Sequence, residues 1–330
     1  MPVEGFGLAR SRLDALMQRA TAWSRVKRGP SVDEHFIRLM PWMTVSSDAA
    51  AVQDAFQRLT DGVAYRKAFG RAPLLTDSPF GATFRTTRQS GTSDAVAHVD
   101  AVIAALAEAG FPLNLPVRTE LRAYRLFDVL NDSLLRSDRE REPHWSLVAY
   151  CAYLGAQGEW TNAHGELCSV DEILQRINAE PPGAGPCSGT HRLWATAVAF
   201  RRAEIAPHPF RESSLAASYR RLADARAICL RTQFSDGCWD RRWFAEDNTS
   251  DHTADETDLQ RRLDRLSVTS HLLEAFAILP DDLRPDAASL VSALQYVLSE
   301  LEVSPDLFLE KDFTGTTHAV RALCLYASAP

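Results

Sequence analysis

The chain has 330 residues, of which 45% are hydrophobic, so it can bury a sizeable core in one large domain or two ordinary ones. Its net charge of −7 argues against nucleic-acid binding, because a surface that follows phosphates needs clustered lysine and arginine. No apolar run reaches the length of a membrane-spanning helix, roughly 18 residues, and the six cysteines form neither a CxxC pair nor a dense disulfide pattern. We therefore expect a cytoplasmic protein with reduced thiols and no transmembrane segment.

The N-terminal residues 1–49 predict a separate helical element. Leu13, Leu16 and Met17 recur at helical spacing in GLARSRLDALMQRATAWSRVKRG, which is typical of an amphipathic helix. Residues 50–330 predict a repeat domain, because helix-period apolar patterns follow one another there with connections rich in proline, glycine and aspartate. Alternating strand patterns are scarce, so we expect an all-α fold.

The first unit of the repeat domain pairs an outer helix over residues 50–65 with the segment GTSDAV at 91–96. This segment matches GTTHAV at 315–320 nearly residue for residue. It places Asp94 where the later units carry a histidine, and His98 about one turn further on. Asp94 and His98 are therefore candidate ligand-binding residues.

Four later segments each begin with a histidine and continue with a run of apolar and small residues. They are headed by His144 (PHWSLVAYCAYLG), His191 (GTHRLWATAVAF), His271 (SHLLEAFAIL) and His318 (THAVRALCLYA). The first two histidines are 47 residues apart, and so are the last two, as in a helical repeat array. Each segment follows a more amphipathic stretch with a charged face. These stretches are 120–136, 170–179, 215–232 and 287–301.

The alternation predicts exposed outer helices and buried inner helices, since a helix that is apolar all round is buried on all sides. A closed ring of about five to six helical hairpins, an α/α toroid, fits this pattern better than a linear solenoid, whose helices keep one solvated face. The inner helices of such a ring are parallel, so the four histidines should lie at one end. The positive end of a helix disfavours imidazolium, so we expect these rings to be neutral bases or ligands.

One segment resembles a known motif. In QFSDGCW, Gln233, Asp236, Gly237 and Trp239 fit the QxxDGxW pattern, the QW motif of squalene and oxidosqualene cyclases. Gly237 permits a tight turn, Gln233 can bond to backbone groups at a helix end, and Trp239 can pack between neighbouring hairpins. Over roughly residues 50–330 the chain thus resembles the superfamily of terpenoid cyclases (squalene and hopene cyclases) and protein prenyltransferases, whose fold is the α/α toroid.

The resemblance implies a fold more than an activity. Hopene-type cyclases protonate their substrate with a DxDD motif, which this sequence lacks, so class II cyclisation is not expected. Prenyltransferases bind zinc with an aspartate, a cysteine two residues on and a distant histidine, and Asp236, Cys238 and His318 imitate that set. Here, however, DGCW ends an outer helix, whereas the family's ligands begin an inner one. No cofactor is therefore assigned, and zinc at this trio is the less favoured alternative.

Charged residues distinguish two of the inner helices. Trp194, Glu274 and Arg321 each lie three residues after a repeated histidine, on the same helix face. A buried charge needs a partner, so Glu274 and Arg321 should pair beneath His271 and His318, and these four are the candidate catalytic residues. The further candidates for ligand binding are His144, His191 and Trp194. The alternatives are a structural ion pair and histidines that serve only the repeat.

The function that these residues favour is an enzyme whose toroid has an axial pocket, with acid–base or transferase-type chemistry there on a small or isoprenoid-like ligand. His271 or His318 would act as the base, and Arg321 would bind an anionic group. The alternative is a non-catalytic toroidal scaffold that binds a protein or lipid partner, because a fold does not by itself imply an activity. The substrate, the oligomeric state and any metal stay open at this point.

Overall fold

The computed structural model describes residue 7 and residues 10–26, 29–42, 49–87, 95–138, 141–205, 210–245, 257–303 and 305–327. Within these ranges the chain forms fourteen α-helices and three two-stranded antiparallel sheets. The prediction of a mostly helical fold is confirmed. No helix in the same ranges is both long enough and apolar enough to cross a membrane.

The helices account for most of the described residues, and each sheet is a local hairpin rather than a layer of a larger sheet. The helices are α1 (Arg10–Val26), α2 (Pro30–Leu39), α3 (Ala49–Thr60), α4 (Gly62–Phe69), α5 (Ala101–Glu108), α6 (Leu126–Leu135), α7 (His144–Tyr153), α8 (Val170–Ala179), α9 (Thr190–Ile205), α10 (Glu212–Thr232), α11 (Asp258–Ala277), α12 (Ala287–Val303), α13 (Pro305–Lys311) and α14 (Phe313–Ala327). The strands pair in sequence order and are β1 (Leu75–Ser78), β2 (Gly81–Phe84), β3 (Pro116–Arg118), β4 (Ala123–Arg125), β5 (Glu159–Thr161) and β6 (Leu167–Ser169).

These elements divide between two compact units. The C-terminal unit comprises the described residues of Met1–Ala20, Leu174–Ile205 and Arg211–Pro330. The N-terminal unit comprises those of Thr21–Ile173 and Ala206–Phe210. The division into an element over 1–49 and a repeat domain over 50–330 stays a prediction.

Three buried helices, α9, α11 and α14, form the centre of the C-terminal unit. Helix α11 packs against both of the others. Every residue from Val268 to Phe276 in α11, and from Gly315 to Cys324 in α14, is buried. These runs carry small and apolar residues on all sides, which explains their burial. The amphipathic helices α10 and α12 pack against α9 and α11, which gives the predicted alternation of outer and inner helices within this unit.

The first half of α1 also belongs to the C-terminal unit. Arg12 donates two hydrogen bonds, of 2.6 and 2.8 Å, to Glu302 of α12. The sulfur atoms of Met17 and of Cys324 in α14 lie 3.9 Å apart, and Leu13 is buried beside them along the same helix. The apolar face predicted for the N-terminal helix is therefore buried among the last helices of the chain.

Helix α11 begins earlier than the sequence predicts. It starts at Asp258, well before the segment headed by His271, because the Thr257 hydroxyl accepts a hydrogen bond of 3.2 Å from a backbone N–H of the first turn and so caps the helix. His271 consequently lies in the fourth turn of α11, and His318 lies in the second turn of α14. The expectation that a helix N-terminus keeps these two rings neutral is wrong, because the effect is confined to the first turn.

A cap also divides the first outer helix predicted over residues 50–65. The Asp61 carboxylate accepts hydrogen bonds from the backbone N–H groups of Val63 and Ala64, at 2.8 and 3.1 Å. This arrangement begins a new helix, so the segment forms α3 and α4 instead of one continuous helix.

Two further boundaries in the N-terminal unit differ from the prediction. The outer helix expected over 120–136 begins only at Leu126, because the residues before it form the β3–β4 hairpin. The inner helix of the first repeat, α5, begins at Ala101, so His98 precedes this helix instead of lying one turn inside it. Asp94 lies outside the described residues.

The QFSDGCW segment forms a tight turn after α10. The Gln233 side-chain amide donates hydrogen bonds to the carbonyls of Gly237 and Ser289, at 2.8 and 2.9 Å. Gly237 has a φ of 92°, which favours glycine, and a side chain there would collide with Ser292 of α12. The turn therefore fastens the end of α10 to the start of α12. Asp236 accepts a hydrogen bond from the next-but-one backbone N–H within it.

Trp239 completes the connection between α10 and α11. Its ring is fully buried, and its indole N–H donates to the Cys229 carbonyl of α10 at 2.9 Å. Its backbone N–H donates to the Thr269 hydroxyl of α11, also at 2.9 Å. One residue thus links an outer helix, through its side chain, to the inner helix of the next hairpin, through its backbone.

Replacing Trp239 with alanine should lower the free energy of unfolding by about 3–5 kcal/mol, the usual cost of removing a buried aromatic ring. Chemical denaturation followed by circular dichroism would measure it. Phe127→Ala is the matched control, because that ring is 54% exposed and should cost less than about 1 kcal/mol. Equal midpoints for Trp239→Ala and the unsubstituted protein would show that this turn does not stabilise the fold.

Candidate functional site

Three histidines of the C-terminal unit form a buried row. His191 of α9, His271 of α11 and His318 of α14 are each less than 5% exposed. The Nε2 atoms of His191 and His271 lie 3.2 Å apart. The rings of His271 and His318 are in close tilted contact, with centroids 3.9 Å apart and planes inclined by 33°. The three repeated histidines therefore lie at the same height along their neighbouring helices, and this row is the first level of the site.

A second buried level follows one turn further along the same helices. The Glu274 carboxylate accepts a hydrogen bond from His318 Nδ1 at 2.8 Å and lies 3.5 Å from Nη1 of Arg321. The Arg321 guanidinium in turn lies 4.5 Å from the centre of the Trp194 ring, a cation–π contact. The structure thus brings together the residues that stand three positions after each histidine in this unit.

The order of the two levels fixes the direction of the helices. In each of α9, α11 and α14 the histidine precedes the second-level residue by three positions. The histidines contact one another between helices, and so do the second-level residues. Parallel helices in register produce this arrangement. A Cβ added at Gly315 would collide first with the Asp312 carboxylate and would also lie 3.3 Å from the Cβ of Ser267 on α11, so glycine suits this point of close packing.

Hydrogen bonds determine which ring nitrogen carries the proton in two of the histidines. His271 Nδ1 lies 2.7 Å from the Ser267 carbonyl oxygen, which can only accept, so Nδ1 donates. His318 Nδ1 donates to the Glu274 carboxylate in the same way. In a neutral ring the opposite nitrogen, Nε2, then holds a lone pair. A carbonyl or carboxylate behind the imidazole is the usual support for a histidine that acts as a base or a ligand.

The remaining predicted ligand-binding histidines, His98 and His144, lie in the N-terminal unit. Both contact the carboxylate of Glu142, a residue that was not predicted to be part of a site. His98 Nδ1 and His144 Nδ1 lie 2.9 and 3.3 Å from Glu142 Oε1. Burial alone would raise the pKa of Glu142, but hydrogen bonds from His144 and His98 and their positive charge lower it to about 2. A signal for this contact was present, because Glu142 stands two residues before His144.

Sequence reasoning also missed Cys187. It lies in a short 3₁₀ turn, Pro186–Gly189, that leads into α9, and its side chain is exposed. Its thiol, one nitrogen of His191 and one of His271 lie within 4.8 Å of one another. The sequence offered a weak signal, a cysteine four residues before a repeated histidine, but the contact depends on the conformation of the turn.

The less favoured zinc set does not assemble among the described residues. The groups there with three converging ligand atoms do not include Asp236, Cys238 and His318. Cys238 is fully buried, and burial together with a hydrogen bond to Asp236 raises the pKa of its thiol. Asp236 also lies 3.6 Å from Arg265, and His318 is bonded to Glu274. The reason is the one foreseen: DGCW ends an outer helix and does not begin an inner one.

Replacing Glu274 alone with leucine should cost about 3–5 kcal/mol of stability, because the Arg321 charge stays buried without this carboxylate. Replacing Arg321 with leucine as well should recover at least half of that loss. A double-mutant cycle in urea measures the coupling, with the exposed pair Arg201 and Glu204 as a control that should couple by less than about 1 kcal/mol. Additive effects at Glu274 and Arg321 would show that the pair does not interact.

Glu142 should make stability depend on pH in the acid range. Its pKa is lower in the folded protein than the ordinary value of 4.5, so its contribution is complete above about pH 4.5 and is lost as the pH falls through about 2. Glu142→Gln should therefore lower the free energy of unfolding by roughly 1–3 kcal/mol at pH 5. Below pH 4.5 the free energy of unfolding of this variant should fall less steeply with pH than that of the unsubstituted protein. Unfolding curves at stepwise lower pH test this. Glu159→Gln, at an exposed position, is the control, and identical acid limbs for both variants would contradict the assignment.

Comparison of the chain with protein-family models, with curated proteins and with solved structures found no match in any of the three. The roles of the residues at this site therefore rest on their geometry. The resemblance to terpenoid cyclases and prenyltransferases stays an expectation drawn from the residues of QFSDGCW and the repeated segments of the sequence.

Proposed function

We propose that the chain is an α/α toroid of the terpenoid-cyclase and prenyltransferase type and that it is an enzyme. Its reaction would be acid–base or transferase-type chemistry on a small or isoprenoid-like ligand, in the cytoplasm. The observation that carries this proposal is the Glu274 carboxylate, buried and bonded to His318 at 2.8 Å inside otherwise apolar helices. Buried ionisable groups with a specific charge partner are frequent at catalytic sites.

The toroid proposal is supported by the helix arrangement of the C-terminal unit. Inner helices α9, α11 and α14 are neighbours in their order along the chain, and outer helices α10 and α12 cover them. The turn at Gln233–Trp239 links successive hairpins in the manner that the motif implies. The free thiols of all six cysteines agree with a reducing compartment.

His318 is the best candidate for the base. Glu274 fixes the ring with a proton on Nδ1 and leaves Nε2 able to accept one, which is the relationship between base and orienting carboxylate in histidine-dependent enzymes. The geometry favours Glu274 as the partner of Arg321, in place of the ligand anion expected from the sequence. Arg321 would then keep Glu274 ionised, and Trp194 would supply an aromatic face.

The chemistry of imidazole narrows the reaction. An imidazolium, with an ordinary pKa of about 6.5, is too weak an acid to protonate an isolated alkene. The neutral imidazole, in contrast, is a base that suits removal of a proton from carbon or activation of a nucleophile. This agrees with the absence of a DxDD acid motif from the sequence, and class II cyclisation is not proposed.

His318→Asn separates binding from catalysis, because asparagine retains a donor for Glu274 but has no second nitrogen. With prenyl diphosphates and prenyl alcohols as probes, binding measured by native mass spectrometry should change less than about threefold. Product formation should fall by about 100-fold or more, the usual contribution of general acid–base catalysis. The control is His164→Asn, at an exposed position. Absence of binding and turnover with every probe, or equal turnover for the two variants, would favour the alternative of a non-catalytic scaffold.

A further inference from the structure

We propose that Cys187, His191 and His271 bind one zinc ion at the entrance to the histidine row. Their ligand atoms, one sulfur and two nitrogens, all lie within 4.8 Å of one another. A thiolate with two imidazoles is a donor set that suits zinc. The site goes beyond the proposed function, because metal binding can be measured without any substrate.

The distance between the Nε2 atoms of His191 and His271 is close to that expected when two histidines bind the same zinc ion. Two nitrogens bound to tetrahedral zinc at about 2.0–2.1 Å are about 3.3 Å apart. The Nε2 atoms of His191 and His271 are 3.2 Å apart. Both rings are buried and held on neighbouring helices, so little rearrangement is needed for both to bind one ion.

The surroundings of His271 orient it as a ligand. Its Nδ1–H donates to the Ser267 carbonyl at 2.7 Å, which directs the Nε2 lone pair towards His191. Metal-bound histidines are commonly held in this way by a carbonyl or a carboxylate.

The turn before α9 holds the cysteine in place. Cys187 and Ser188 have φ values of 48° and 55°, and such left-handed conformations cost non-glycine residues roughly 1–3 kcal/mol each. The turn is secured by hydrogen bonds to both carbonyls, from the Thr190 hydroxyl at 2.8 Å and from the Trp243 indole at 2.9 Å. Strained backbone of this kind is concentrated at functional sites. Here it brings an exposed thiol beside two buried imidazoles.

The chemistry of binding is a ligand exchange without electron transfer. The Cys187 thiol loses its proton to solvent and its sulfur forms a bond to Zn²⁺. His271 binds through its Nε2 lone pair. Without metal, His191 Nε2–H donates to that same nitrogen, so on binding the His191 proton moves to Nδ1 and its Nε2 becomes a ligand. Three protein ligands leave the fourth tetrahedral position open, as in catalytic zinc sites. His271 would then be a ligand, and His318 alone would remain as the base.

The test uses the full chain, stripped with a chelator and reloaded with zinc or cobalt(II). We expect one metal ion per chain by elemental mass spectrometry, and a thiolate-to-cobalt charge-transfer band in the near ultraviolet. Cys187→Ser should abolish the band and weaken zinc binding by more than about 100-fold, since even loss of an outer hydrogen-bond partner costs 10- to 100-fold. His191→Ala should weaken zinc binding similarly. Cys168→Ser, at a half-buried cysteine outside the set, should match the unsubstituted protein.

The exposed position of Cys187 keeps this test independent of folding, because Cys187→Ser should retain the circular dichroism spectrum and unfolding midpoint of the unsubstituted protein. The proposal is overturned if the stripped protein takes up no zinc at tenfold excess. It is also overturned if Cys187→Ser keeps both the stoichiometry and the cobalt band. Either result leaves the role of His318 and Glu274 untouched, so the two proposals fail separately.

Discussion

The Glu274 carboxylate lies in the apolar centre of the C-terminal unit, and the arrangement around it follows from that burial. Removing a carboxylate from water costs several kcal/mol, which only close and well-placed partners offset. Both partners come from α14: His318 donates a hydrogen bond, and Arg321 brings a charge one turn further on. Apolar side chains would allow α11 and α14 to slide past one another by a turn. The contacts of Glu274 fit one register, and that register places the His271 ring against the His318 ring.

The outer helices stabilise this register from behind. The turn at Gln233–Trp239 binds the end of α10 to α12 through Ser289 and to α11 through Thr269. Thr269 stands two residues before His271, so the Trp239 contact fixes the position of the inner helix close to the site. Trp239 therefore fixes the position of α11, and α11 carries two residues of the candidate site, His271 and Glu274.

The sequence predicted those features that depend on periodicity. Repeated histidines and apolar segments predicted the inner helices, and the three-residue offset of Glu274 and Arg321 predicted that they would meet. Features that depend on a single local hydrogen bond or backbone angle were not predictable from the pattern. The Thr257 cap extends α11 by more than two turns, the Asp61 cap divides the first outer helix, and the left-handed angles of Cys187 and Ser188 bring the thiol to the histidines. No periodic signal marks any of these.

The central claim is that hydrogen bonds hold the His271 and His318 rings with Nδ1 protonated and leave Nε2 able to accept a proton or bind a ligand. Long-range ¹H–¹⁵N correlation spectra of the ¹⁵N-labelled protein at neutral pH report the protonation of each histidine nitrogen, and single histidine variants assign the signals. The account predicts a protonated Nδ1 for His271 and for His318, with the His318 signal shifted in Glu274→Gln. A proton on Nε2 and none on Nδ1 in either ring would contradict the account.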